Sequence, residues 1–95
     1  MKIDPKHYSI VQAILASYPY TFYVFGSRAK DTARPLSDLD LCYKDSIPIS
    51  IIAHIEEQFE ESDLPFTVDL INWNTCSDDF KKLIEKDLVP ITKLL

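Results

Sequence analysis

Apolar positions along this chain switch between helical and strand spacing, and the switches outline its elements. Ile10, Val11, Ile14, Leu15 and Tyr18 recur at three- and four-residue intervals. That spacing predicts an amphipathic helix over residues 5–17, with Asp4 as N-cap and Pro5 at the first helical position. Pro19 ends it. Residues 20–25 (YTFYVF) are almost all aromatic or β-branched, the composition of a buried strand. A short basic segment, residues 28–33, predicts one or two helical turns, closed at Arg34-Pro35 because the residue before a proline disfavours the α region. Residues 38–43 alternate polar and apolar as a second strand, and Lys44-Asp45-Ser46 is a polar connector. Pro48 opens a second amphipathic helix reaching residue 62, with Ile51, Ile52, Ile55 and Phe59 on its buried stripe and Glu56, Glu57, Glu60 and Glu61 on a solvated face. A break at residues 62–65 leads to a third strand over residues 66–71, and Asn72-Trp73-Asn74 precedes a last helix over 78–87 carrying Phe80, Leu83 and Ile84. Residues 88–91 add a strand that Pro90 confines to a sheet edge.

Glycine usage sharpens this picture. Gly26 is the only glycine among 95 residues, and it follows the first strand directly. A glycine used once marks a backbone that needs positive φ or a place that something else must approach closely. Ser27 occupies the position of a helix N-cap, where free backbone N–H groups favour an anion. In the second strand Asp38 and Asp40 share one face while Leu39 and Leu41 share the other. Carboxylates two residues apart on a strand have Cα atoms about 7 Å apart, so their side chains can converge on a shared divalent ion. An anion cradle beside paired carboxylates points to a metal-bound polyphosphate, since the cation reverses the repulsion between acid and phosphate.

Charge and composition narrow the function classes. The net charge of −5 argues against a general nucleic-acid binder. At 46% hydrophobic and 26% charged residues, the composition is that of an ordinary water-soluble domain. Residues 1–95 are expected to form a single domain burying about 60–65% of its unfolded surface. The polar start MKIDPKHYS and the lack of any apolar run of membrane-spanning length predict a cytoplasmic protein with no membrane partner. Cys42 and Cys76 match no metal-ligand spacing. His7 and His54 have no ligand-spaced partner and read as structural, and Trp73 reads as a packing aromatic before a base-stacking one.

Gly26-Ser27, ten intervening residues and then Asp38-x-Asp40 resemble the GS-x10-DxD motif of the DNA polymerase β-like nucleotidyltransferase superfamily. The four-residue pattern should arise by chance in roughly one chain of this length in a thousand. The wording GSRAKDTARPLSDLDL and the small size are similar to the minimal nucleotidyltransferases paired with HEPN toxins in toxin–antitoxin systems, although Lys30 and Asp31 depart from the common GSRARG. The resemblance implies an α/β (α+β) fold, a small mixed β-sheet flanked by helices that forms a bare catalytic lobe. It also implies ATP as substrate and two Mg²⁺ ions as cofactor. Asp38, Asp40 and Asp69 are the expected catalytic and metal-binding residues. Asp69 is the one acid inside a strand-like run after Asp40, where its alternative is an edge-strand acid facing solvent. Gly26, Ser27 and Arg28 are the expected nucleotide-binding residues, with an ion pair to a neighbouring acid as the other role for Arg28. Lys30 and Arg34 read as surface charges.

With no segment left for an appended helical domain, the acceptor is expected to be shaped by another molecule. By resemblance that molecule is a HEPN ribonuclease toxin, neutralised by transfer of AMP to a tyrosine. Two other readings stand beside it. One is a non-catalytic module that occludes its partner. The other is transfer to a small molecule such as an antibiotic hydroxyl by a homodimer.

Overall fold

The computed structural model describes residues 3–30, 34 and 36–91. Helix α1 (Pro5–Leu15) begins where the capping chemistry places it: the Asp4 carboxylate accepts a hydrogen bond from the Lys6 N–H at 2.8 Å, and Pro5 opens the first turn. Strands β1 (Phe22–Phe25) and β2 (Leu39–Tyr43) pair antiparallel, from Phe22 opposite Tyr43 to Phe25 opposite Asp40. Helix α2 (Ile49–Glu60) then crosses over the sheet to β3 (Val68–Asn72), which runs parallel to β2. A parallel pair needs such a crossover because no tight turn can join two strands pointing the same way. A 3₁₀ turn (Trp73–Thr75), helix α3 (Asp78–Ile84), a second 3₁₀ turn (Glu85–Asp87) and the short edge strand β4 (Val89–Pro90) complete the described chain. The mixed sheet has the order β3-β2-β1-β4.

Strand alternation divides the apolar side chains between the two faces of the sheet. Phe22, Val24, Leu39, Leu41 and Tyr43 meet Val11 and Leu15 of α1 and Ile55 and Phe59 of α2, forming the main core. On the opposite face Phe25 and Cys42 pack against Ile84 of α3, with Tyr23, Ile71, Trp73 and Phe80 around them. Asp40 and Asp69 share this second face by strand parity, at the end where β1 leaves the sheet and β2 and β3 enter it. The acidic side of α2 is solvated, with Glu56, Glu57, Glu60 and Glu61 all exposed. His7 and His54 make edge-on ring contacts with Phe66 and Tyr18.

The α+β architecture and the edge strand at Pro90 agree with the reading of the sequence, and the element ends differ. The first strand starts at Phe22 rather than residue 20, and the third covers Val68–Asn72 rather than residues 66–71, because pairing with β2 sets both limits. The basic segment is a turn over residues 26–30 rather than a helix, held by one helix-type bond from the Lys30 N–H to the Gly26 carbonyl at 3.2 Å. Asp31, Thr32 and Ala33, also expected there to be helical, lie outside the described residues. The helix expected over residues 78–87 ends at Ile84 and tightens into the 3₁₀ turn.

Leu41 is fully buried at the centre of the sheet, opposite Val24 on β1 and Leu70 on β3. Leu41→Ala should lower unfolding stability by about 2–5 kcal/mol, a large fraction of the roughly 5–15 kcal/mol of a typical domain. Urea denaturation followed by circular dichroism measures this, and a loss below about 1 kcal/mol would contradict the central position assigned to Leu41.

Candidate active site

Gly26 meets both of the requirements that a lone glycine suggests. Its φ is +75°, a left-handed conformation that a side chain disfavours. A Cβ built on it would also lie 2.7 Å from Asp40 Oδ2, inside van der Waals contact. The pairing of Phe25 with Asp40 accounts for this closeness, since it brings the turn that follows β1 against the first carboxylate of β2. Ser27 lies inside the turn and is not its cap, because the carbonyl that accepts from the Lys30 N–H belongs to Gly26. The expected N-cap role for Ser27 therefore shifts one residue earlier.

Asp40 is half-buried and stands opposite Asp69 in the parallel register. Adjacent strands are about 4.8 Å apart, so the two carboxylates occupy neighbouring positions on one face. Asp38 precedes β2, and both Asp38 and Asp69 are exposed. Burial pushes the Asp40 carboxyl above the ordinary range, and the charges of Asp69 and Asp38 push it further. The structure thus brings the three expected acids into one electrostatic neighbourhood with Asp40 at its centre. The three do not close on a single point: among the described residues no group of three His, Cys, Asp or Glu side chains converges to hold an ion. The donor set is nevertheless all carboxylate oxygen, which suits a hard divalent cation such as Mg²⁺, and a cation there would relieve the repulsion at Asp40.

Arg28 turns inward. Its residue is 3% exposed, and its Nε and Nη2 donate to the Ser37 carbonyl at 3.1 and 2.6 Å. The guanidinium lies 4.2 Å from the centre of the Phe66 ring, a cation–π distance. Burial lowers its pKa while the charge of Asp38 raises it. Arg28 therefore joins the Gly-Ser turn to the residue before Asp38 and to the segment leading into β3. Ser37 and Phe66 escaped the sequence reading because nothing near Arg28 in the chain indicates either contact. Lys30 is exposed, as a surface charge should be, and is also paired: its Nζ is 3.4 Å from Asp87 Oδ2, a buried oxygen with no hydrogen bond among the described residues. Trp73 packs on the second core, with Lys44 and Lys81 4.7 and 5.8 Å from its ring centre.

A family profile described as "Polymerase beta, Nucleotidyltransferase" matches residues 10–93, from α1 to the tail beyond β4. The chain belongs to the polymerase-β nucleotidyltransferase family. It is also 41% identical over 95 residues to the "Probable protein adenylyltransferase MntA" of Haemophilus influenzae (strain ATCC 51907 / DSM 11121 / KW20 / Rd), covering 96% of this chain and 83% of that protein. The protein is thus a nucleotidyltransferase of minimal size, a family whose members generally act on nucleotides with a divalent metal. Among the described residues no helix is long and apolar enough to cross a membrane.

Two outcomes follow from this geometry. Gly26→Ala should destabilise the fold by about 1–2 kcal/mol from the left-handed backbone alone, and the new methyl should displace the Asp40 carboxylate. Thermal denaturation and nucleotide titration read the two effects, and an alanine variant that matches the parent in both would remove the close approach. The second outcome concerns pH. A carboxyl whose pKa is higher folded than unfolded favours the native state below the unfolded value, near 3.8, and loses that contribution as pH rises through the folded value. In metal-free buffer Asp40→Asn should therefore raise the melting temperature at pH 7, with the gain shrinking as pH falls toward 3.8. A gain that grows on acidification would show that Asp40 is stabilised, not strained, as the anion.

Proposed function

We propose that this protein is a Mg²⁺-dependent enzyme that moves AMP from ATP to a protein hydroxyl, a tyrosine of a HEPN-type toxin, and so acts as an antitoxin in the cytoplasm. The single observation that carries this reading is the Asp40–Asp69 pair standing beside a glycine turn that admits no side chain. The name of the H. influenzae relative supports a protein as acceptor.

In this reading residues 1–95 act as one catalytic domain. Gly26 and Ser27 bind the β- and γ-phosphates through backbone N–H groups and the serine hydroxyl. Asp38, Asp40 and Asp69 would hold the metal. Bound there, Mg²⁺ would supply positive charge to offset the triphosphate and the charge that develops on the entering and leaving oxygens. Asp69, exposed on the outer strand, faces the incoming acceptor and takes the proton of its hydroxyl. The tyrosine oxygen bonds to the α-phosphorus, the bond to the bridging oxygen of the β-phosphate breaks, and pyrophosphate leaves. A tyrosine of pKa near 10 is a poor nucleophile at neutral pH without such a base. Arg28 serves as a positioning residue, since its hydrogen bonds to the Ser37 carbonyl hold the approach to Asp38.

Calorimetry with ATP should show binding in Mg²⁺ and little in EDTA, and equal affinity in both would remove the metal from the site. Intact-mass spectrometry of a HEPN-type partner incubated with the protein, ATP and Mg²⁺ should show AMP-sized additions. Asp69→Asn should abolish these while leaving most nucleotide binding intact. If the partner's nuclease is inhibited with its mass unchanged, occlusion replaces transfer as the mechanism.

A further inference from the structure

Beside Asp69, an open cavity of about 370 Å³ lies between α2 and β3. Two carboxylates of α2, Glu56 and Glu60, line it, with Asp69 of β3 at its border and its carboxylate turned by strand parity to the other face, and Phe59, Leu64 and Phe66 give it an apolar wall. Glu56 and Glu60 are four residues apart on one helix and so lie on the same face. Strand β3 is the outermost strand on this side of the sheet, so the cavity can be reached without passing the Gly-Ser turn. Arg28 stands behind the wall, buried against Phe66 at 4.2 Å, and the His7 ring meets Phe66 edge-on at 5.7 Å.

We propose that this cavity is the docking subsite of the acceptor, and that it takes an arginine or lysine side chain carried close to the hydroxyl that receives the nucleotide. The inference rests on the transfer reading above, because that reading puts Asp69 at the reacting hydroxyl. The shape and charge of the cavity then specify the neighbouring residue. An aliphatic stem lies along Phe59, Leu64 and Phe66 while its cationic head meets Glu56 and Glu60. The same carboxylates repel the triphosphate, which keeps the nucleotide on the Gly-Ser side of Asp69 and leaves this side to the acceptor. An acidic segment carrying the same tyrosine is rejected by like-charge repulsion.

The test uses the full chain and two synthetic tyrosine peptides, one with arginine two residues from the tyrosine and one with citrulline in its place. Titration by NMR should move the amide signals of Glu56, Glu60 and Asp69. At low salt the arginine peptide should bind roughly three- to tenfold more tightly than its neutral twin. In the double variant Glu56→Gln, Glu60→Gln this preference should collapse while affinity for ATP with Mg²⁺ stays unchanged. Glutamine is a good helix former, so α2 should persist. A preference that survives the double substitution overturns the proposal. So do peptide-induced shifts confined to other surfaces, or shifts at these residues that Mg²⁺ alone reproduces and the peptide does not add to. Failure of ATP binding in the parent protein would instead sink the transfer reading, and the peptide preference reports on the cavity separately.

Discussion

The contact between the Gly26 backbone and the Asp40 carboxylate governs the active end of this small sheet. Where an ordinary side chain would begin, a carboxylate oxygen lies 2.7 Å away. The turn can pass so close only because its first residue has no side chain and takes a positive φ. In the proposed function this closeness brings the N–H groups assigned to phosphate and the acid assigned to metal within one ligand's reach. It also accounts for the burial that raises the Asp40 pKa, because the turn covers that carboxyl, whereas Asp38 and Asp69 are exposed.

Around that contact the cations are arranged to steady the frame. Arg28 is committed to the Ser37 carbonyl and the Phe66 ring, and Lys30 faces Asp87. Both begin on the turn that follows Gly26 and end on segments distant in sequence, so the turn is tied down on two sides. A buried arginine is costly unless its donors are satisfied, and one carbonyl accepting two of its N–H groups with an aromatic ring beneath its plane answers part of that demand.

Much of this was legible in the sequence, for identifiable reasons. Asp4-Pro5 announced the start of α1 because capping is local chemistry. Gly26 announced the turn because a single glycine records steric demand wherever it arises, and parity along β2 assigned Asp40 and Leu41 to opposite faces. What was not legible depends on long-range pairing. The ends of β1 and β3 are fixed by partners on β2, and the inward direction of Arg28 is fixed by Ser37 and Phe66, of which the second belongs to a different strand approach. The same holds for Lys30, whose partner Asp87 lies beyond α3. The motif singled out candidate residues, and the tertiary register determined which way their side chains point.

The parallel register of β2 and β3 has a consequence for how the molecule comes into being. Asp40 meets its neighbour on β1 across a short excursion of chain, but it meets Asp69 only after α2 has formed and carried the chain back across the sheet. Closing that longer loop is the entropically more demanding step. A chain still emerging from the ribosome can therefore own the glycine turn and the first two acids while the third is still unmade. The proposed constellation of three acids belongs to the finished fold alone, and a half-folded copy would have the glycine turn without Asp69 beside it.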